Sequence, residues 1–313
     1  MSGPAPKSGL RKGTERFLRA IGFSGRGLVI AVPTLWLLVF FLIPFLVVLK
    51  ISVAEPMIAR PPYSPLFVHG PDGWSLKYTF DNYAYLWQDS LYIKAYWSSV
   101  KIAFVSTVLT LLIGYPMAYY IARSEEPKRS LLLLLVVLPF WTSFLLRVYA
   151  WIGILKNKGL LNAVLMKIGI IDQPLVIMQT DIAVYIGIVY TYLPFMILPL
   201  YANLVKLDGS LLEASADLGA RPLTTFLKIT LPLSLPGILA GSMLVFIPAI
   251  GEFVIPALLG GPDTLMIGKV LWSEFFNNRD WPVASAVAIA MLVLLVIPVM
   301  LLRLANTKQE DLI

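Results

Sequence analysis

The chain has 313 residues, of which 58% are hydrophobic and only 14% are charged, and its formal net charge is +7. Soluble domains carry about 25% charged residues, so much of this chain is expected to face hydrocarbon rather than water. The sequence has no cysteine and one histidine, His69, which excludes disulfides, thiolate catalysis and a histidine-based metal cluster. The positive charge fits either nucleic-acid binding or the flanks of membrane spans, and its distribution favours the spans.

Six apolar segments are long enough to cross a bilayer, because a hydrocarbon core about 30 Å thick requires about 20 helical residues. The segments are 28–51, 98–122, 131–155, 182–203, 236–257 and 282–302. The sequence therefore predicts an all-α membrane protein with six transmembrane helices. Residues 28–303 form the predicted membrane domain, between a basic tail at 1–27 and a short tail at 304–313.

The first segment follows a basic leader, which is also a feature of cleaved signal peptides. Its apolar run of about 22 residues exceeds the 7–15 residues of a signal core, so a retained span is favoured. Lys and Arg are denser in the segments that face the cytoplasm when the first tail is inside. The positive-inside rule therefore predicts that both termini are cytoplasmic.

The inner connection at 204–232 carries the most specific motif of the chain. Its core reads EASADLGARP at 213–222, and it closes with ITLP at 229–232. Glu213 and Asp217 are four residues apart and share one face of a helix, where a carboxylate can accept hydrogen bonds from the guanidinium of a partner.

The same stretch predicts a short helix, a tight turn and a second short helix. Residues 210–218 are good helix formers, and Ser210 with Glu213 matches a capping box. Gly219 is expected to end the first helix, and Pro222 is expected to begin the second. A solvated amphipathic loop helix remains an alternative on these signals alone.

This segment resembles the loop signature of the permeases of binding-protein-dependent ABC importers. In that signature Gly lies six residues after the Glu of a Glu-Ala-Ala start, and Ile-x-Leu-Pro follows after nine more residues. Ser215 replaces the second Ala and is the one departure. The resemblance implies a type I ABC importer permease fold and a coupling helix that docks on a separate ATPase subunit. The implied coupling residues are Glu213, Ala214, Ser215, Ala216, Asp217, Gly219, Arg221 and Pro222.

The sequence does not indicate an enzyme. It contains no G-x-x-x-x-G-K-[ST] phosphate loop and no H-E-x-x-H or G-x-S-x-G motif. Energy for transport is therefore expected from another polypeptide. ATP with Mg²⁺ is expected on a partner ATPase dimer, and no cofactor or metal is expected on this chain.

Three further stretches, 143–162, 171–175 and 246–288, look like the spermidine/putrescine permeases and most of all like the putrescine permease. This likeness covers roughly 28–302. It implies polyamine import across a bacterial inner membrane, with a second permease subunit in a heterodimer. It also implies an extracytoplasmic polyamine-binding protein, for which Gly260, Gly261 and Asp263 are candidate docking residues. Besides these proteins, the surrounding lipid is the expected partner, and nucleic acid is not.

Two alternatives to polyamine import stay open. One keeps the same importer class and changes the cargo to ferric iron, sulfate, thiamine or another small solute. The other is a membrane scaffold or sensor with no transport role, which the coupling signature opposes.

Two ionisable residues, Arg147 and Glu252, lie inside predicted spans, both in the outer half. Such residues are costly in hydrocarbon and usually functional. Three interpretations are open. The two residues form an ion pair with each other, or their side chains reach the outer headgroups, or Glu252 lines the pathway and binds a substrate amine. Pro248, Gly251 and Pro256 predict a broken helix around Glu252, and irregular backbone at membrane depth suits a cavity. Aromatic candidates for cation–π contact are Trp141, Tyr149, Trp151, Tyr190 and Tyr192, each of which also fits an interfacial or packing role.

Overall fold

The structure is a computed structural model that describes residues 25–70 and 73–310. Most of the predicted basic tail at 1–27 and the last three residues of the predicted tail at 304–313 lie outside the described residues. Numbered in chain order, the α-helices are α1 Gly25–Leu37, α2 Ile43–Ser52, α3 Asp81–Gln88, α4 Ser90–Arg123, α5 Lys128–Val137, α6 Phe144–Leu155, α7 Leu160–Lys167, α8 Asp181–Leu204, α9 Gly209–Asp217, α10 Pro222–Thr225, α11 Leu231–Leu233, α12 Leu235–Ile250, α13 Val254–Leu258, α14 Ile267–Trp272 and α15 Trp281–Glu310.

Short stretches of other helix types continue several of these helices. The π-helical turns are Leu38–Leu42, Phe226–Thr230 and Ser273–Asn278, and a 3₁₀ turn runs over Leu138–Trp141. The loop between α2 and α3, which is the first predicted outer loop, contains a hairpin that the all-α prediction omits. Its strands β1 Phe67–Gly70 and β2 Gly73–Leu76 pair antiparallel, with Phe67 opposite Leu76.

The predicted spans fall on apolar helices, but not all of these are straight. Three stretches in the described part of the chain are long and apolar enough to cross a membrane by themselves: Val29–Ser52, Ser90–Arg123 and Asp181–Leu204. Two further candidates are bent pairs, Lys128–Trp141 with Phe144–Lys167 at 92°, and Pro222–Leu233 with Leu235–Ile250 at 65°. The apolar part of α15, Trp281–Val296, is shorter.

The prediction of one continuous span at 131–155 is wrong. Pro139 has no N–H to continue an α-helix, and the chain tightens into a 3₁₀ turn that ends at Trp141. Thr142 then adopts extended backbone, and its N–H and Oγ1 both donate to the Pro139 carbonyl at 3.2 and 2.8 Å. Because α6 leaves this bend at 92°, the depth of Arg147 cannot be counted along a straight helix.

The core is formed by α4, α8 and α12, which pack against one another along most of their length. One buried cluster lies at the Ser90 end of α4 and includes Ile102, Ile188 and Ile255. A second cluster lies at the Arg123 end and includes Met196 and Leu200. Helix α15 packs on α2, whereas no part of the most apolar stretch of Val29–Ser52 is buried by the chain itself.

Candidate functional site

The first candidate site is the coupling segment, residues 204–232. Its first helix, α9, begins at Gly209, and the side chain of Asp208 caps it by accepting the N–H of Ser210 at 3.0 Å. This hydrogen bond stabilises the carboxylate and lowers the pKa of Asp208 below its usual value. The prediction that Ser210 is the cap is therefore wrong by two residues.

The end of α9 has the geometry that the sequence predicts. Gly219 has a φ of +72°, which a residue with a Cβ adopts only at a cost. The Gly219 N–H donates to the Ala216 carbonyl at 2.8 Å, and the Ala220 N–H donates to the Ser215 carbonyl at 3.0 Å. This pair of bonds is a Schellman motif, and Pro222 then begins α10 as expected.

Ser215 connects the two short helices. Its side chain is buried, at 6% exposure, and its Oγ lies 2.7 Å from Oγ1 of Thr225. Sequence reasoning treated this residue only as a small replacement for Ala and missed the bond. The available signal was a second hydroxyl ten residues further along, on the neighbouring helix.

The remaining surface of the coupling segment is exposed and unpaired. The exposed predicted residues are Glu213, Ala214, Ala216, Asp217, Gly219, Arg221 and Pro222. Leu218 is 88% exposed and Leu223 is 68% exposed, beside charged residues that form no ion pair within the described ranges. Large apolar side chains among unpaired charges are typical of a protein-binding surface.

Phe226 connects this surface to the membrane helices. Its ring packs edge-on against Tyr115 of α4 at 5.5 Å between centroids, with an interplanar angle of 89°, and against Tyr119 at 6.5 Å. The hydroxyl of Tyr115 in turn lies 2.9 Å from Oγ of Ser234, just before α12. Direct contacts through Phe226 and Tyr115 therefore join the coupling segment to α4 and to the start of α12.

The second candidate site is the break between α12 and α13, which confirms the predicted broken helix. Helix α12 ends at Ile250, and α13 begins at Val254. Glu252 lies between them and is buried, at 9% exposure. Phe253 stacks on Trp272 at 4.4 Å between centroids, which holds the break against α14.

Both carboxylate oxygens of Glu252 are engaged by the chain. Oε2 accepts the hydroxyl of Tyr192 at 2.7 Å. Oε1 accepts the N–H groups of Val254 and Ile255 at 3.0 and 3.4 Å. The side chain thus caps α13 and attaches the break to α8, and Oε2 retains acceptor capacity for one further donor.

Gly268 of α14 allows the backbone of the break to lie close to its neighbour. A Cβ at this position would lie 2.4 Å from the Gly251 carbonyl oxygen and 2.7 Å from the Glu252 carbonyl oxygen. Both contacts are shorter than real Cβ atoms allow. The absence of a side chain at Gly268 is therefore a condition for the observed geometry.

The ion pair between Arg147 and Glu252 is not present in this structure. Within residues 25–70 and 73–310, the one ion pair joins Lys77 to Glu55 at 2.6 Å, in the first outer loop. The Arg147 guanidinium instead lies 6.0 Å from the ring centroids of Phe140 and Phe144. The ion-pair interpretation is therefore wrong for this conformation.

The predicted aromatic residues separate into two groups. Tyr192 contacts Glu252 directly. Tyr190, two residues earlier, projects from a different face of α8 and packs edge-on against Trp151 at 5.4 Å between ring centroids. Trp141 and Tyr149 lie on the exposed surface around the bend before α6, and no described contact joins them to Glu252.

The loop at 259–266 is joined to the segment before α8. The Gln179 N–H donates to the Leu259 carbonyl at 2.9 Å, and Thr264 Oγ1 donates to Asp181 Oδ1 at 2.7 Å. Gly261 is buried against Gln179, Gly260 is half-buried, and Asp263 is exposed. Of the three predicted docking residues, Asp263 therefore presents its side chain at the surface.

Residues 111–308 match the family described as "Binding-protein-dependent transport system inner membrane component". This range includes the coupling segment and the Glu252 break, and it covers more than half of the chain. The chain belongs to this family. It is accordingly an inner membrane permease, and the predicted type I ABC permease fold is confirmed.

The permease has relatives that are similar over nearly the whole chain. The Haemophilus influenzae protein named spermidine/putrescine transport system permease protein PotB is 42% identical over 279 residues, which are 89% of this chain and 93% of the relative. Its Escherichia coli (strain K12) counterpart of the same name is 41% identical over 283 residues, covering 88% and 97%.

A solved structure has a similar fold. The crystal structure of a bacterial ABC transporter involved in the import of the acidic polysaccharide alginate has a TM-score of 0.64 at 18% identity, covering 96% of the permease and 99% of that chain. At this identity the likeness supports the fold alone.

The Gly268 contact leads to a testable prediction. We expect Gly268→Ala to destabilise the permease by about 1–3 kcal/mol, because the added methyl forces the carbonyls of Gly251 and Glu252 away from α14. The measurement is thermal unfolding of the purified protein in detergent.

The matched control is Gly153→Ala, also within a helix, where a Cβ meets nothing within 4 Å. This control should leave the melting temperature unchanged or raise it slightly, since Ala favours helix over Gly. Equal melting temperatures for Gly268→Ala and the unmodified permease would contradict the role of this contact.

Proposed function

We propose that the permease is the membrane subunit of an ATP-driven polyamine importer, in which it forms half of the translocation pathway. The observation that carries this proposal is the 42% identity to a PotB spermidine/putrescine permease over 89% of the chain. The matched region contains both candidate sites. The similarity therefore supports both the proposed energy coupling and the proposed cargo.

The energy comes from a separate ATPase dimer that binds the coupling segment. Exposed Glu213 and Asp217 lie on one face of α9 and have no partner within the described part of the permease. A basic residue of the ATPase would form an ion pair with these carboxylates, and exposed Leu218 would pack against the ATPase surface. Movement of the ATPase then passes through Phe226 to α4. ATP and Mg²⁺ bind the ATPase, since the sequence of the permease has no phosphate loop.

The cargo is recognised at the Glu252 break. A polyamine carries ammonium groups, which a buried carboxylate attracts strongly where water is excluded. Tyr192 and the α13 N–H groups hold the Glu252 carboxylate in place, and its Oε2 can accept from an ammonium as well. Tyr190 lies two residues from Tyr192 on α8 and offers an aromatic face for cation–π contact elsewhere on the route, whereas exposed Trp141 and Tyr149 have no described contact with Glu252 and are not assigned to this site.

Three further parts complete the importer. A second permease subunit forms the other half of the pathway. An extracytoplasmic binding protein delivers the polyamine and docks on the outer loops, including the turn at Gly260, Gly261 and Asp263. Both termini of the permease lie in the cytoplasm, on the same side as the coupling segment.

Reconstitution tests this function directly. The permease, its companion permease and the ATPase are inserted into proteoliposomes, and labelled putrescine and spermidine are supplied with the binding protein. We expect ATP-dependent accumulation of polyamine, and no accumulation of sulfate, thiamine or ferric iron. Accumulation of one of these other solutes instead would overturn the cargo assignment, and loss of all ATP dependence would overturn the importer assignment.

The coupling role of Glu213 is testable in this system. We expect Glu213→Gln to reduce ATP-dependent uptake by about tenfold, because removing a charge-assisted hydrogen bond at the ATPase interface costs roughly 1.5–3 kcal/mol. Uptake and ATP hydrolysis are measured side by side. Since Glu213 is exposed and makes no side-chain bond within the described chain, folding should be unaffected.

The matched control for this variant is Glu125→Gln, which removes an exposed carboxylate from the other short cytoplasmic loop. It should transport like the unmodified permease. Equal uptake by Glu213→Gln and Glu125→Gln would remove Glu213 from the ATPase contact.

The cargo role of Glu252 is separable from its capping role. Glu252→Gln keeps an acceptor for the α13 N–H groups but removes the charge, so we expect the apparent KM for polyamine to rise by about tenfold or more. Tyr192→Phe keeps the charge and removes one hydrogen bond, and it should raise the KM much less. The measurement is the concentration dependence of uptake. If Glu252→Gln transports with unchanged kinetics, the pathway role fails.

A further inference from the structure

Arg147 is a charged side chain that has no counter-ion among residues 25–70 and 73–310. Its Nε is buried and has no hydrogen-bond partner in the described structure. The guanidinium lies between the rings of Phe140 and Phe144, at 6.0 Å from each centroid. Aromatic faces attract a cation, but they do not accept hydrogen bonds as a carboxylate does.

No carboxylate of the described residues pairs with Arg147. The buried membrane carboxylate, Glu252, already accepts three hydrogen bonds from Tyr192, Val254 and Ile255. Arg147 is half-buried, and leaving its buried Nε–H without an acceptor costs about 1–3 kcal/mol or more, because the group is charged. The missing acceptor is therefore expected from another molecule.

The backbone beside Arg147 adds to the positive potential. Helix α6 begins at Phe144, and its N-cap residue, Ser143, makes no side-chain capping bond. The first N–H groups of α6 are free of intrahelical partners, and the helix dipole is positive at this end. Arg147 lies in the first turn, so the helix end and the guanidinium favour the same kind of ligand, an anion.

The elbow is defined as residues 141–147, where the chain bends by 92° between α5 and α6. It begins about 20 Å along the chain from Lys128, at 1.5 Å per helical residue, and lies inside the apolar segment 131–155, which the sequence predicts to be embedded in the membrane. Thr142 and Ser143, which have non-helical backbone, are both exposed in this chain. Irregular backbone at this depth is tolerated against protein or a water-filled cavity, but not against lipid.

The side chains around the elbow favour protein over water. Five large apolar or aromatic residues of this surface are exposed: Leu138, Trp141, Leu145, Leu146 and Tyr149. Trp141 is 74% exposed and Leu146 is 68% exposed. A mainly apolar surface around one unsatisfied arginine matches the core of a subunit interface, where arginine and aromatic residues are enriched.

We propose that the elbow is an interface with the second permease subunit, and that a carboxylate of that subunit pairs with the Arg147 guanidinium. This inference rests on the proposed function, which supplies the second subunit. The pair also removes a positive charge from the neighbourhood of a pathway for cations, where an uncompensated guanidinium would repel the cargo.

Co-purification tests the interface. The tagged permease is expressed with its companion permease, as the unmodified chain and as Arg147→Met, Arg147→Lys and Arg60→Met. Arg147→Met keeps much of the apolar stem and leaves the partner carboxylate unpaired, so we expect the recovery of the companion to fall by about tenfold or more. Arg147→Lys keeps the charge and should lose less. Arg60→Met makes the same chemical change at an exposed residue of the first outer loop and should lose nothing.

Cross-linking identifies the partner carboxylate. The chain has no cysteine, so Arg147→Cys gives it a single thiol. Single cysteines replace each membrane-embedded Asp or Glu of the companion in turn, and oxidation should give a disulfide at one of these positions. Combining Arg147→Glu with Arg at that position should then restore recovery of the companion.

Three results would overturn the proposal. The first is equal recovery of the companion with Arg147→Met and Arg60→Met, together with no cross-link. The second is native mass spectrometry in which Arg147→Met loses a bound phospholipid but keeps the companion, which assigns the anion to lipid. The third is failure of the companion to co-purify even with the unmodified permease, which overturns the heterodimer of the proposed function as well.

Discussion

The structure depends on one constraint: within hydrocarbon, every backbone polar group and every charge must find a partner in protein or in enclosed water. Straight helices such as α4 and α8 meet this constraint along their own length. Two of the places where the membrane helices are interrupted meet it differently. At the break at 251–253 the chain itself supplies the hydrogen-bond partners, because Glu252 accepts from the first N–H groups of α13 and Tyr192 donates to Glu252. The elbow at 141–147 lacks such partners, since the start of α6 has no side-chain cap and the buried Nε of Arg147 has no acceptor among the described residues.

This difference assigns different roles to two charges that appear equivalent in the sequence. Glu252 belongs to a site enclosed by α8, α12 and α14, where a bound cation would be surrounded by groups of the same subunit. Arg147 belongs to a surface that needs another subunit to be complete. The coupling segment is a third kind of polar site, since its charges are exposed and have no ion-pair partner within the described ranges.

The sequence was sufficient to predict four features: the helix content, the six apolar segments, the turn at Gly219 and the break near Glu252. Each depends on local chemistry, namely hydrophobic length, a position that requires φ above zero, and a cluster of Pro and Gly. The 92° bend after Pro139 was not predictable, because a proline in an apolar run is equally compatible with a mild kink. The Ser215–Thr225 bond, the Asp208 cap and the partners of Glu252 depend on how neighbouring elements pack or on where exactly a helix begins, and periodicity does not report either.

The bond between Tyr192 and Glu252 limits how the membrane helices can move. Helix α12 has 16 residues and is about 24 Å long, with the coupling segment near one end and Glu252 just beyond the other. A rigid tilt of about 10° around the end nearer the coupling segment would carry the far end about 4 Å sideways, more than a hydrogen bond can stretch. Either this hydrogen bond breaks in each transport cycle, or α8 and α12 move together as one rigid body. The close packing of α8 and α12 over most of their length favours movement as one rigid body, which would keep the hydrogen bonds of Glu252 intact through the cycle.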